Sequence, residues 1–258
     1  MKEQEMADSL MQNAKHLSDM GFLNGKAGII LYFYYWGRHE KKEIFSDYAS
    51  ELLDSLIDSF HVGMPIGFEN GITGIGWVIE HLIQNGFVEA DADEVFEDID
   101  QEVIYKLILD ENDLDVVVAI GFYLVGRLCY RRNDDSNCRV LDLKYYMILL
   151  IDELEKQIEW NGGSDNVAYL LEEIHNLDIF NFKVEKLQNI IGKSNINYLF
   201  PMIPRMNRME VEAKLARVDE QSIYSGLDLT DVVESERWGL RNGIAGIAFH
   251  KMILAYEL

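Results

Sequence analysis

Apolar residues recur at helical spacing along most of this chain, and acidic residues lie between them. In the segment 48–60 the apolar positions fall at i, i+4, i+5, i+8, i+9 and i+12, and the segment 141–160 shows the same period. The run 116–128 is apolar with only glycine and one arginine between, which predicts one buried helix rather than a strand. Glycine-, proline- and asparagine-containing breakers separate these segments. The pattern therefore predicts an all-α protein built of helical hairpins.

A glycine-rich motif occurs three times. Residues 21–29, 67–75 and 239–247 share the pattern G-[FL]-x-N-G-x-[AT]-G-I, and the first two copies are 46 residues apart. Degenerate copies follow at a similar step, since Gly121 lies 47 residues after Gly74 and Ala168 lies 47 after Gly121. Two shortened units would fit after Ala168, around the proline-bearing segment 197–206. A repeat of this length accommodates two helices and their turns.

Each copy of the motif is expected to begin a helix. Asn24, Asn70 and Asn242 are suited to cap these helices, and two glycines spaced three apart follow on the first turn. Glycine in a helix costs about 1 kcal/mol relative to alanine, so its repeated use needs a reason. We expect several helix starts to approach closely around a common centre. An open solenoid is the alternative, but solenoids seldom collect glycines at one helix end.

The second copy carries a family resemblance. Residues 67–77, with the continuation 78–90, resemble bacterial proteins of the lanthionine synthetase C-like family, and residues 21–29 and 239–247 are similar to further copies of that family's repeat. The resemblance implies an α/α toroid, a single domain over residues 1–258, with inner and outer helix layers and a cavity at the inner helix N-termini. Residues 175–235 match nothing in the family pattern.

The chemistry of the family does not follow from this sequence. The family's cyclases join a peptide cysteine to a dehydroamino acid and hold zinc with two cysteines and one histidine, the second cysteine directly preceding the histidine. This chain has no Cys-His pair: Cys129 falls late in its predicted helix and Cys138 falls in or just after a polar loop. We therefore expect no metal and no other cofactor, and no zinc-dependent thioether formation.

The charge balance excludes some classes of partner. The chain has 45 acidic and 23 basic residues, a formal net charge of −22, which repels phosphate backbones and anionic lipid. We expect neither nucleic-acid nor membrane binding, and the polar N-terminus and the short apolar stretches predict a cytoplasmic protein. The acidic run 89–100 predicts the start of an amphipathic helix, capped by Asp91 or Asp93, with its other acids facing water.

The candidate site is the set of polar residues that flank the motif copies. Helix N-termini present N–H groups and positive dipole ends, which favour polar or anionic ligands. The interpretation that the asparagines and aspartates are only caps stays open. The cavity-lining candidates are Asn24, Glu69, Asn70, Asp115, Asp165, Trp238, Arg241 and Asn242.

Three functions are compatible with these features. The first is binding a peptide substrate, or assisting its maturation beside a modifying enzyme, in a biosynthetic pathway. The second is a carbohydrate-active toroid enzyme in which Glu69 pairs with Asp115 or Asp165 as acid and base, which needs the carboxyl groups roughly 5–9.5 Å apart. The third is a non-catalytic interaction scaffold whose acidic surface attracts a basic partner.

Overall fold

All regular secondary structure in the described part of the chain is α-helical, as the periodicity predicts. The computed structural model describes residues 3–61, 63–109, 113–131, 133–194, 208–217, 238–241 and 243–256. Among these residues, no helix is both long enough and apolar enough to cross a membrane. The segment 197–206, where shortened repeat units were expected, lies outside the described residues.

The chain divides into two compact units. Unit 1 combines residues 1–63 with residues 198–258, and unit 2 is the continuous segment 64–197. The described helices of unit 1 are α1 (Glu3–Ala14), α2 (Lys26–Glu40), α3 (Glu43–Asp58), α11 (Arg208–Arg217) and α12 (Ile244–Tyr256). Those of unit 2 are α4 (Ile72–Gln84), α5 (Ala92–Val95), α6 (Glu97–Ile108), α7 (Leu114–Leu128), α8 (Cys138–Asn161), α9 (Asp165–Asn176) and α10 (Asn181–Ile191).

The two helices that follow the first and last motif copies pack side by side in unit 1. α2 contacts α12, α1 packs against both, and α3 folds back on α2. Tyr35 of α2 meets Phe249 of α12 with ring centroids 5.4 Å apart, and nearer the helix starts Leu240 donates its N–H to the Leu23 carbonyl at 2.7 Å. Because both contacts keep the same order along the two helices, α2 and α12 run parallel.

Unit 2 contains two rows of helices. α4, α7 and α9 are neighbours in one row, here called the motif row, whereas α8 and α10 contact each other and pack against α7 and α9. Contacts in the motif row occur at the repeat step. Glu80 meets Arg127, 47 residues further on, and Phe122 meets Tyr169, also 47 residues further on. The helical repeat predicted from the sequence is therefore present in the packing.

The helices of the motif row run in the same direction. Gly76 of α4 lies beside Tyr123 of α7, and one turn further along both helices Glu80 lies beside Arg127. Along α7 and α9, Gly121 lies beside Leu170 and Phe122 beside Tyr169, and α8 leads from the end of α7 back to the start of α9. The three N-termini consequently lie at one end of the row.

Candidate functional site

The first two motif loops, residues 19–25 and 65–71, cap the helices that follow them with their own backbone. Lys26, the first residue of α2, donates its N–H to the Asp19 carbonyl at 2.9 Å. Ile72, the first residue of α4, donates to the Pro65 carbonyl at 2.8 Å, so the same bond spans seven positions in both copies. The repeat in sequence is thus a repeat in loop geometry. These first N–H groups are satisfied within the loop and are not available to an anion.

This loop geometry explains the glycines. A Cβ at Gly28 would collide with the carbonyl oxygen of Phe22, and a Cβ at Gly246 would collide with that of Leu240, which is the equivalent position in the third copy. Gly25 and Gly71 are crowded in the same way by their own loops. The glycines therefore mainly make room for a loop that folds over its own helix. The close approach of a neighbouring helix, which the sequence predicted, explains them only in part.

The predicted asparagine caps are wrong in the two copies that can be assessed. The N-cap residues of α2 and α4 are Gly25 and Gly71, and neither helix start receives a side-chain cap. Asn24 and Asn70 lie one position earlier, half-buried and exposed respectively. Asn242 lies outside the described residues. The starts of α2 and α4 are therefore capped by loop backbone and not by these asparagines.

Unit 2 places four of the candidate residues at one end. Glu69 and Asn70 precede α4, Asp115 lies in the first turn of α7, and Asp165 is the first residue of α9. Since the three helices are parallel neighbours, these residues share the end of the motif row that we call the acidic end. Asn70, Asp115 and Asp165 are exposed, and Glu69 is half-buried.

Unit 1 brings together three more candidates. The third motif loop, of which residues 238–241 are described, lies against the first loop, and the Arg241 N–H donates to the Leu23 carbonyl at 3.0 Å. A Cβ on Gly239 would overlap the backbone of Asn24, so the two loops are in direct contact. Arg241 is half-buried, like Asn24, whereas Trp238 is 1% exposed. Trp238 is therefore part of the packed interior at this junction.

Lys26 is a buried residue that the sequence analysis missed. Although it is a lysine, it is only 7% exposed, and burial lowers the pKa of its amine. The sequence did contain a signal, because the equivalent residues of the other two motif copies are Ile72 and Ile244. A lysine at a position that otherwise holds isoleucine indicates a buried aliphatic stem, while the amine itself still reaches water.

The opposite end of the motif row contains a buried ionic cluster that the sequence analysis also missed. The Arg127 guanidinium, near the end of α7, donates to Glu80 of α4 at 2.5 Å and to Asp100 of α6 at 3.1 Å. Tyr123 donates to the other oxygen of Asp100 at 2.6 Å, and the Phe96 ring lies 4.3 Å from the guanidinium carbon.

Burial works against the charge of Arg127 in this cluster. The surrounding oxygens of Tyr123, Asp100 and Glu80 outweigh that effect and raise the pKa of Arg127. Glu80, Asp100 and Arg127 are each at most 1% exposed. The cluster is thus closed to ligands and holds α4, α6 and α7 together.

The prediction that the acids of the run 89–100 face water is wrong for two of them. Asp91 does cap α5, as expected, by accepting the Asp93 N–H at 2.9 Å. Asp93 itself binds both terminal nitrogens of Arg131 at 2.7 Å each, and Asp100 is fully buried beside Arg127. The hydrogen bonds from Arg131 hold the pKa of Asp93 well below its usual range.

The cysteines and histidines do not fit the zinc site of the cyclases. Both cysteines and all six histidines lie in the described ranges, and no three metal-binding side chains come together there. Cys129 follows the last residue of α7 and Cys138 begins α8, which is the end of the row opposite the acidic end. Cys129 is exposed, and its thiol donates to the Gly126 carbonyl at 3.3 Å.

No protein-family model, no curated protein and no solved structure matches the chain.

Proposed function

We propose that the chain is an α/α toroid of the lanthionine synthetase C-like kind that binds a basic peptide at the acidic end of unit 2, without zinc-dependent thioether chemistry. Motif loops 1 and 2 are alike in backbone geometry, and two rows of helices alternate in unit 2. Direct bonding between the first and the third motif loops supports a closed ring, because the terminal repeats of an open solenoid lie far apart.

The acidic end of unit 2 carries the proposal of a basic ligand. Asp115 and Asp165 are exposed in the first turns of the adjacent parallel helices α7 and α9. Asn70 is exposed just before α4, the other helix of the motif row. Carboxylates that stay in water lose little solvation on meeting a cation, so they attract and orient lysine or arginine side chains. A chain with net charge −22 adds long-range attraction for such a peptide.

The exposure of these carboxylates favours binding over acid–base catalysis. A general acid that works near neutral pH is held protonated by surroundings that exclude water. Asp115 and Asp165 have no such surroundings, and Glu69 is only half-buried. The proposed role of the acidic end is therefore recognition.

A charge-reversed pair of peptides tests the proposal. One fluorescent peptide carries evenly spaced lysines, and the second carries glutamates at the same positions. We expect the lysine peptide to bind the full chain and the glutamate peptide to fail. Removing both charges with Asp115→Asn and Asp165→Asn should weaken binding about tenfold or more, since charge pairs at a recognition surface each contribute on the order of 1 kcal/mol.

The control removes the same charge from an equivalent environment elsewhere. Glu97 and Asp98 are exposed in the first turn of α6, so the double variant Glu97→Gln, Asp98→Asn loses two carboxylates at a helix start outside the acidic end. Equal weakening in the two double variants would mean that net charge alone attracts the peptide, and the proposed site would be wrong. Equal binding of the two peptides would also refute it.

A further inference from the structure

One side of α10 presents large apolar residues to solvent. Phe182 is 84% exposed and Ile190 is 60% exposed, although the opposite side of the same helix is buried in unit 2. Residues three or four positions apart share one side of a helix, which places Glu185 and Lys186 between these two. A shallow groove follows this side of the helix, here called the α10 face, and is lined by Phe182, Glu185, Lys186, Asn189 and Ile190.

Ion pairs fix α10 against α8 beside this face. Lys183 binds Asp152 and Glu155 of α8 at 2.6 Å each, and Lys186 binds Glu155 at 2.7 Å. Two lysines and two carboxylates therefore offset each other along the border of the two helices. In a chain of net charge −22, this border repels a second copy of the chain less than the acidic end does.

The end of α8 extends the exposed apolar surface. Trp160 is 87% exposed and lies three residues before Gly163, where an added Cβ would overlap Ile191 of α10. The ends of α8 and α10 are therefore neighbours, and both carry apolar side chains in water. Such a surface gains free energy when a partner covers it.

We propose that the α10 face is a self-association surface, at which two copies of the chain pair their α10 helices antiparallel about a twofold axis. With the axis between positions 185 and 186, Glu185 of each copy lies opposite the partner's Lys186. Phe182 of each copy then lies beside the partner's Asn189 and the partner's Ile190. Because the axis repeats every contact, one such dimer contains two ion pairs between copies.

Charge complementarity selects a second copy over other partners. A basic peptide would meet Lys186 and an acidic partner would meet Glu185, whereas a second copy presents the opposite charge to each of them. The two side chains are 56% and 60% exposed, so both can reach a partner. The inference does not rest on the proposed function, because neither Asp115 nor Asp165 takes part in the dimer.

The size of the face sets the expected affinity. One helix of 11 residues covers less than the roughly 800 Å² per partner that a stable interface buries. We therefore expect a weak dimer with a Kd in the micromolar range.

Sedimentation equilibrium of the full chain across the micromolar range tests the dimer, at about 0.15 M salt so that the long-range repulsion between copies is screened. We expect an equilibrium between monomer and dimer. Glu185→Lys and Lys186→Glu should each raise the Kd about tenfold or more, because one substitution places like charges opposite each other in both ion pairs. The double variant Glu185→Lys, Lys186→Glu restores opposite charges and should restore the natural Kd.

The apolar contact is tested separately from the ion pairs. Phe182→Ser removes an exposed ring and should raise the Kd about tenfold, because that ring is covered only in the dimer. Ile44→Ser is the matched control, since Ile44 is an exposed apolar residue on α3 of unit 1 and should leave the Kd unchanged. Both positions lie on the surface, so we expect both variants to fold.

A chain that stays monomeric over the whole range, as it would if a different protein covers the α10 face, overturns the proposal. A dimer that is insensitive to Phe182→Ser, or that Ile44→Ser weakens equally, places the interface elsewhere. Failure of the double charge exchange to restore the natural Kd contradicts the antiparallel pairing of Glu185 with the partner's Lys186.

Discussion

The molecule buries two cations in contrasting ways. Arg127 in unit 2 is 1% exposed and is surrounded by Glu80, Asp100 and Tyr123, which raise its pKa. Lys26 in unit 1 is 7% exposed, no carboxylate in the described residues faces it, and its pKa is lowered. The charge of Arg127 is neutralised by its neighbours, and its ion pairs hold the helices of unit 2 together. The Lys26 amine itself still reaches water, so only the stem of that side chain is buried.

The largest expected effect is the loss of the compensated charge. Arg127→Met leaves Glu80 and Asp100 buried without their partner, so we expect the free energy of unfolding to fall by about 3–5 kcal/mol in urea denaturation. The control is Arg139→Met. Arg139 lies at the edge of the same cluster, with a side chain that is 30% exposed and a nitrogen that comes no closer than 3.9 Å to Asp100, so its contact is weak. If both variants lose the same stability, the cluster does not hold the helices together.

A smaller loss of stability is expected at the first motif loop. Gly28→Ala places a methyl group against the Phe22 carbonyl, and relieving that clash should cost about 1–3 kcal/mol. Gly67→Ala is the matched control in the second motif loop, because nothing lies within 4 Å of the added carbon. Equal stability of the two variants would contradict the loop explanation of the glycines.

Removal of the Lys26 charge should change the free energy of unfolding in the opposite direction. We expect Lys26→Ile to raise the free energy of unfolding by about 1 kcal/mol, because it removes a cation from the first turn of α2, where the helix dipole repels it, and introduces the residue found in the other motif copies. Lys186→Met, at an exposed lysine, should stay within about 0.5 kcal/mol of the natural chain. A loss of stability in Lys26→Ile would show that the amine has a structural partner, and the comparison with Arg127 would fail.

The smallest effect is in acid. The pKa of Asp93 is lowered in the folded chain from its ordinary value of 3.8, so its contribution to stability is complete above that pH. Below it the unfolded chain takes up a proton that the folded chain does not, and stability falls with falling pH. Asp93→Asn should therefore flatten the fall below about pH 4 by on the order of 1 kcal/mol.

The control for the acid experiment is Asp98→Asn, an exposed carboxylate of α6. Its stability curve should remain parallel to that of the natural chain. If Asp93→Asn and Asp98→Asn flatten the curve equally, the ion pair with Arg131 does not control the acid response.

The helices and their repeat could be predicted because both depend on local patterns. The apolar run 116–128 folds as the buried helix α7, and the step of 47 residues reappears as the contact between Glu80 and Arg127. The caps could not be predicted in this way. Asn24 looks like a cap in sequence, but the Asp19 carbonyl performs that role by a loop path that only the folded chain reveals.

The charged residues show the same limit. Asp93 and Asp100 belong to a segment that reads as solvent-facing, yet they bind arginines more than 25 residues further along the chain. No local pattern records such a pairing. Lys26 is the exception, because alignment of the three motif copies already places it among isoleucines.

The bond between Leu240 and Leu23 has a consequence for the order of folding. Leu23 precedes unit 2 in the sequence and Leu240 follows it. The whole segment 64–197 therefore leaves the ribosome while unit 1 still lacks α12. We expect pulse-labelled amide exchange to show protection in α7 before α2, and simultaneous protection would contradict this order. α1 and α2 are therefore made well before α12, the helix that both of them contact, and they stay without it until the whole of unit 2 has been made.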